Sequence, residues 1–222
     1  MAVDKISVLL PTYNRANLIT LAIKSILLQT HKNLELFIYD DGSTDNTEEV
    51  VKQFKDKRIN YFKSPKNRGV AYARNYMVSK CAAKLACWQD SDDASNINRL
   101  EMQYKVLKTG GWHMTAARFD NFTKKIGPRW KNKPKNGGRI AHASVMFKVD
   151  DFLQIDLRKS FGGSDADWLR RMRKEYPKGF NALPQILYHV RRHRNRIGVW
   201  KRSEKANPKW YNRMKNYAKP KN

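Results

Sequence analysis

Over the first ninety residues, apolar positions switch between two periods. Short aliphatic and β-branched runs give way to stretches in which apolar residues return every three or four positions. Ile6-Ser-Val-Leu-Leu10 reads as a buried strand, and Ile19, Ile23, Ile26 and Leu27 fall near one face of a following helix. Leu34 to Tyr39 predicts a second strand, then a turn and a helix from about Asp45, with Asp45 and Glu48 spaced as in a capping box. Ile59 to Phe62 predicts a third strand, Val70 to Cys81 a helix, Leu85 to Gln89 a fourth strand, and Asn98 to Leu107 a helix. Strands alternating with helices of about 10–15 residues imply right-handed βαβ crossovers and a mostly parallel sheet, so the expected class is α/β. The second half is less regular. Met114 to Phe119, Ser144 to Phe147 and Ile186 to Val190 predict strands and Ser164 to Arg173 a helix, while Lys124 to Gly138, broken by Pro128, Pro134, Gly137 and Gly138, predicts a long loop. No segment repeats another.

Composition makes the chain a folding one. Of 222 residues 41% are hydrophobic and six are Trp, enough apolar surface to offset the entropy of ordering. The length suits one domain with an extension: a single domain over 1–195, in halves 1–110 and 111–195, and a basic, aromatic tail over 196–222. No run approaches the ~18 consecutive apolar residues of a membrane span, and the N-terminus lacks a basic start followed by an apolar run. A soluble, cytoplasmic protein is therefore expected. Cys81 and Cys87 have no second pair and no nearby His, which excludes a disulfide framework or a zinc knuckle.

The net charge of +25 points by itself to a polyanionic partner, but its distribution changes that picture. Residues 1–117 carry 17 basic and 12 acidic side chains, whereas 118–139 carry eight and one, and 191–222 carry 12 and one. An ordinary mixed-charge domain thus bears a basic loop and a basic tail, interleaved with Trp130, Trp200, Trp210, Tyr211 and Tyr217. Such segments suit phosphates, an anionic membrane surface or an acidic glycan. Membrane-surface or partner docking is favoured for the tail. Nucleic acid is the alternative partner, for a non-catalytic binding module on the same scaffold.

Chemistry concentrates where strands end, which in open parallel sheets is where ligands bind. Asp90-Ser-Asp-Asp93 sets three carboxylates within four residues, which repel one another unless a cation neutralises them. The same residues also suit a helix N-terminus, and the cluster alone leaves both readings open.

Ser7 to Arg15, Ile23 to Thr30, Asp40-Asp-Gly-Ser-Thr-Asp45, Asn67 to Asn75 and Asp90-Ser-Asp-Asp93, in this order and spacing, resemble the family-two nucleotide-sugar glycosyltransferases with the GT-A fold. Downstream, Ala141 to Phe147 looks like the family's strand beside the acceptor. Gly163 to Arg171 looks like its acidic helix start, departing from it in Ser164, where the family often carries a glutamate. Tyr188 to His193 is similar to the segment ending near the donor diphosphate. The resemblance implies transfer of a sugar from a nucleoside diphosphate, UDP by the family pattern, to a hydroxyl acceptor such as a glycan. It implies that Pro11, Thr12 and Tyr13 wall the base and that Asp41 accepts the uracil N3 hydrogen. Asp41 also suits a turn carboxylate capping the next helix. Arg74 would reach the nucleotide or diphosphate, or else lie exposed. Asp92 corresponds to the second acid of the DXD motif and would coordinate Mn²⁺ or Mg²⁺, with Asp93 the alternative. Asp90 would orient that site or touch the ribose, with Ser91 beside it among the donor-binding residues, and His193 would complete the coordination or bind phosphate beside Arg191 and Arg194. Asp165 would be the general base of an inverting displacement, with Asp167 the fallback; helix capping is the other use of this pair, and the family pattern, in which the region after the metal motif lines the acceptor side, favours acceptor contacts for the basic loop.

Overall fold

The computed structural model describes residues 3–123, 135–155 and 164–193, and of 164–167 the backbone only. The loop residues 124–134 and the tail from 194 on, with their aromatic residues and Arg194, lie outside the described residues. In chain order the elements are β1 (Ile6–Thr12), α1 (Ile19–Leu27), β2 (Leu34–Asp40), α2 (Thr47–Lys52), β3 (Ile59–Lys63), α3 (Val70–Ser79), β4 (Leu85–Trp88), β5 (Ala94–Ser95) and α4 (Arg99–Thr109). There follow β6 (Met114–Phe122), β7 (Arg139–Ile140), β8 (Met146–Lys148), α5 (Val149–Ile155), α6 (Ser164–Glu175) and β9 (Phe180–Arg191).

These strands form one sheet in the order β3-β2-β1-β4-β8-β6-β9-β5, with β7 paired to β6. The first four are parallel, as the alternation of periods requires. Beyond them the sheet is mixed, because β8 runs antiparallel to both β4 and β6. That double reversal restores the direction of β4 in β6 and in β9, its parallel neighbour. The carboxyl ends of β1, β2, β4, β6 and β9 therefore share one edge.

Alternation along each strand divides the core between two faces. Ile6, Val8 and Leu10 of β1 join Ile19, Ile23 and Ile26 of α1 and Leu100 of α4 on one side. Leu9, Phe37 and Trp88 join Met77 of α3, Phe152 of α5 and Trp168 of α6 on the other. Trp88 and Phe147 lie 5.0 Å apart between ring centroids, and Phe152 and Trp168 5.2 Å. This cluster from β4, β8, α5 and α6 welds the regular first half to the second.

Three local expectations are corrected. Asp45 and Glu48 form no reciprocal box: the Asp45 carboxylate accepts the backbone N–H groups of Thr47 and Ala16, both at 3.1 Å, while Glu48 pairs with Lys52 and Lys63. The segment from Ser144 does not start as a strand. His142–Ser144 form a 3-10 turn, in which the Ser144 hydroxyl accepts the Ala117 N–H at 2.8 Å and donates to Ala141 O at 2.7 Å; β8 begins at Met146. The end of the expected loop is paired before β7 begins: Asn136 bridges to Gln185, and Gly138, at φ +78°, approaches the Phe119 carbonyl where a Cβ would stand 2.4 Å from its oxygen. Helix α5 had no signal, since one buried pair, Val149 and Phe152, defines no period.

Candidate active site

Chain connections leave β1 toward β2 on one side and arrive at β4 from the other, so a crevice opens at the carboxyl edge between β1 and β4. The loop leaving β1 is stitched to the loop leaving β2. Asn14, at φ +52°, donates its N–H to Ser43 Oγ at 2.9 Å and accepts the Thr44 N–H at 2.8 Å, and Arg15 donates its N–H to Thr47 Oγ1 at 3.0 Å. Pro11 is half-buried, Thr12 buried, and Tyr13 is 42% exposed at the rim. Buried Asp40 braces this loop by accepting the Ser43 N–H and the Tyr61 hydroxyl, each at 2.7 Å. Gly42, at φ +80°, passes so close to the chain at Lys66 that a Cβ would stand 2.8 Å from its carbonyl carbon.

Asp41 accepts the backbone N–H groups of Arg68 and Gly69, each at 2.8 Å, which anchors the start of α3. The helix it caps is α3, not the next one in sequence, α2. Burial raises its carboxyl above the usual range against the pull of those two donors.

Beyond Trp88 the three acids converge: Asp90, Asp92 and Asp93 bring carboxylate oxygens within 4.8 Å of one another, with Ser91 buried between them. Each acid has a different partner. Asp90 pairs with the Arg74 guanidinium at 3.2 Å. An oxygen of Asp92 lies 2.8 Å from His193 Nε2 and 3.8 Å from Arg15 Nε. Buried Asp93 accepts the Arg191 N–H at 2.8 Å, and Arg191 Nε donates to the Asp92 carbonyl at 3.2 Å. Arg74 is no surface arginine: it is 3% exposed, its guanidinium 5.1 Å from the Trp88 ring centroid. Burial lowers the Arg191 pKa while Asp92 and Asp93 oppose the shift. The predicted residues Asp90, Asp92, Asp93, Arg74 and His193 thus form one constellation. Near His193, Arg15, Asn17 and Asp45 line a cavity of about 350 Å³. Three hard carboxylates with an imidazole at hand are a donor set that fits a hard divalent cation.

Two residues support the cluster from beneath: Arg99, which no sequence motif marks, and Tyr188, which opens the segment Tyr188 to His193. Arg99 is fully buried and has no carboxylate within ion-pair distance among the described residues. It donates to the Trp88 carbonyl at 3.2 Å, to Gln89 Oε1 at 3.4 Å and to Cys87 Sγ at 3.2 Å, and its guanidinium lies 5.5 Å from the Tyr188 ring centroid. Tyr188, also fully buried, accepts the Asp90 N–H at 3.0 Å. Burial, with Asp93 and Asp90 nearby, lifts its phenol well above the usual range, and Arg99 pulls the other way. An arginine opening a helix after Asn98 carries no sequence sign that it turns inward.

On the other side of the edge, the backbone of Asp165 and Asp167 lies in the first two turns of α6, the helix that contacts the 3-10 turn His142–Ser144. Their side chains lie outside the described ones.

A model of glycosyl transferase family 2 matches residues 7–216. An uncharacterised glycosyltransferase of Rickettsia conorii is 42% identical over 122 residues, which are 54% of this chain and 20% of that protein. The chain spans about a fifth of the length of the first curated relatives it matches. Among solved structures, residues 1–349 of TarS from S. aureus, in complex with UDP-GlcNAc, superpose with a TM-score of 0.70 at 17% identity, covering 86% of this chain and 60% of that one. The mannosyltransferase PcManGT from Pyrobaculum calidifontis, in complex with GDP-Man and Mn²⁺, gives 0.69 at 18% identity over 95% of this chain and 64% of that one. Both are GT-A folds, and so is this one.

Proposed function

The chain belongs to glycosyl transferase family 2, and on that premise we propose that it transfers a sugar from a nucleoside diphosphate sugar, UDP-linked, to a hydroxyl of a glycan or other acceptor with inversion. The observation that carries this reading is the triad of carboxylates within 4.8 Å in the crevice beyond β4, with His193 against Asp92. In this reading Asp92, Asp93 and His193 hold a divalent cation, Mn²⁺ or Mg²⁺, and Asp90, fixed by Arg74 and by its N–H on Tyr188, orients it. When bound, the cation neutralises charge gathering on the leaving diphosphate. Ser91 lines the ribose, Pro11, Thr12 and Tyr13 wall the base, and Asp41 accepts the uracil N3 hydrogen beside the two backbone donors it already holds. Arg191 and Arg15 supply positive charge for phosphate oxygens. Asp165 takes the proton of the acceptor hydroxyl as its oxygen attacks the anomeric carbon, and Asp167 is the second choice.

Donor choice follows the motif pattern: TarS is recorded with UDP-GlcNAc and PcManGT with GDP-Man, so the two nucleotides compete in the test. Melting curves are to be taken with UDP, GDP, Mn²⁺ and each pair. UDP with Mn²⁺ together should stabilise the protein well beyond either alone, because only the complex engages both the base and the acids. Stabilisation by GDP with Mn²⁺ instead would change the donor. No response to either pair, with salt-sensitive binding of oligonucleotides, would replace the enzyme by a binding module.

A further inference from the structure

Away from the crevice, the outer face of α3 carries Arg68, Tyr72, Tyr76 and Lys80 at four-residue spacing, a single stripe along the helix and its flanks. The Arg68 guanidinium lies 4.7 Å from the Tyr72 ring centroid and donates to the Tyr72 hydroxyl at 2.9 Å, and Lys80 Nζ lies 5.8 Å from the Tyr76 ring centroid. Phe62 of β3, the edge strand of the sheet, adds an apolar ring 6.0 Å from Tyr76 and is 42% exposed. The layer is anchored from below: Phe62 stacks on Phe37 at 5.0 Å, and Tyr76 packs on Tyr39 at 5.1 Å. From residue 57 to residue 89 the sequence holds eight Lys or Arg and no Asp or Glu; three of them, Arg58, Lys63 and Arg74, pair with Asp56, Glu48 and Asp90. Lys57, Lys66 and Lys84 of that stretch are exposed as well.

We propose that this face of α3 and β3 docks the protein onto an anionic lipid bilayer. The charge is complementary to such a surface, and a half-exposed phenylalanine flanked by tyrosines and cations is the chemistry that settles at a headgroup boundary. The same rings do not suit a pyranose or a nucleobase, because Arg68 and Lys80 already lie over the Tyr72 and Tyr76 faces on which either would stack. Arg68 and Gly69 give their backbone N–H groups to Asp41, so docking would set the crevice beside the headgroup plane. The proposal does not depend on the activity assigned to that crevice.

The test is flotation of the full chain with phosphatidylcholine vesicles, with and without phosphatidylglycerol, at low and high salt. The wild-type protein should float only with the anionic vesicles, and less at high salt. A basic residue near an anionic surface contributes about fivefold to partition, so Arg68→Glu with Lys80→Glu should lower it by more than about 25-fold. Lys80→Glu alone, fully on the surface, should lower it about fivefold and serves if the double variant unfolds. Phe62→Ser should lower it severalfold at either salt concentration. Lys24→Glu with Lys105→Glu, on α1 and α4, should leave partition almost unchanged, and the basic tail is common to all these proteins. Equal losses in the two double variants would show a response to net charge alone and overturn the proposal. An equal loss of binding to soluble oligothymidylate from the Phe62→Ser and Arg68/Lys80 variants would overturn it in favour of a nucleic-acid surface.

Discussion

The two halves of the sheet contribute to the crevice in different ways. Up to Asp93, the loops leaving β1, β2 and β4 bring their own turns and, from β2 and β4, their own acids, and the parallel register sets them side by side. Beyond it, Tyr188 and Arg191 arrive on β9 and His193 just past its end, and the contact between Arg191 and Asp93 joins residues 98 positions apart. The first half therefore writes its site in local motifs. The second writes it in strand register, and its segment Tyr188 to His193 points to the site only by resemblance.

Predictions can break this division or sharpen it. Asp165→Asn should lower transfer by about 10²–10⁴-fold while leaving UDP and Mn²⁺ binding near wild type, because a general base acts only on the acceptor step. Steady-state rates with calorimetric donor binding would check this, and substantial remaining transfer removes Asp165 as the base. Trp88→Ala removes the ring at the seam between the halves and should cost about 3–5 kcal/mol in urea unfolding. If the second half were independently stable, the variant would unfold in two separate transitions.

Asp92→Asn should weaken Mn²⁺-dependent UDP binding by about 10–100-fold with little change in the metal-free melting temperature. An unchanged metal affinity would pass the role to Asp93. Gly42→Ala, forced to φ +80° against the chain at Lys66, should cost about 1–2 kcal/mol and weaken UDP binding with it, since the same loop carries Asp41. The smallest effect is expected far from the site. The Arg58 guanidinium lowers the Asp56 carboxyl to about 2, so its contribution to stability is present above about pH 4 and is lost as pH falls toward 2. The pair is solvated, and Asp56→Asn should cost only about 0.5 kcal/mol at neutral pH, less at high salt, and nothing at the acid end.

Much of the first half is legible in the order of its residues. β1, β2 and β4 are runs buried on both faces, and α1 repeats its apolar residues on one face, so their periods carry enough signal. The acids at the exit of β4 can be read as well, not from the cluster alone, which also suits a helix N-terminus, but from its place after the other loop motifs. Other features are not legible, for particular physical reasons. Arg74 and Arg99 look like surface residues in a helical pattern, and only packing against Trp88 and Tyr188 turns them inward. The turn at His142–Ser144 depends on one hydroxyl reaching Ala117 across the sheet. That Asp41 anchors α3 rather than the helix next in sequence is decided by the fold, which brings Arg68 and Gly69 to its carboxylate.

Sequence by itself determined the α/β class, the parallel first half and the chemistry at the strand exits, since local periodicity and residue type act over a few positions. Tertiary structure alone decided that β8 reverses the sheet, that the Arg191 backbone N–H is given to Asp93, and that an arginine lies buried beneath the acids. Those outcomes depend on strand register and on the cost of burying charge, which are set by contacts across about half the chain and leave no mark in any one segment.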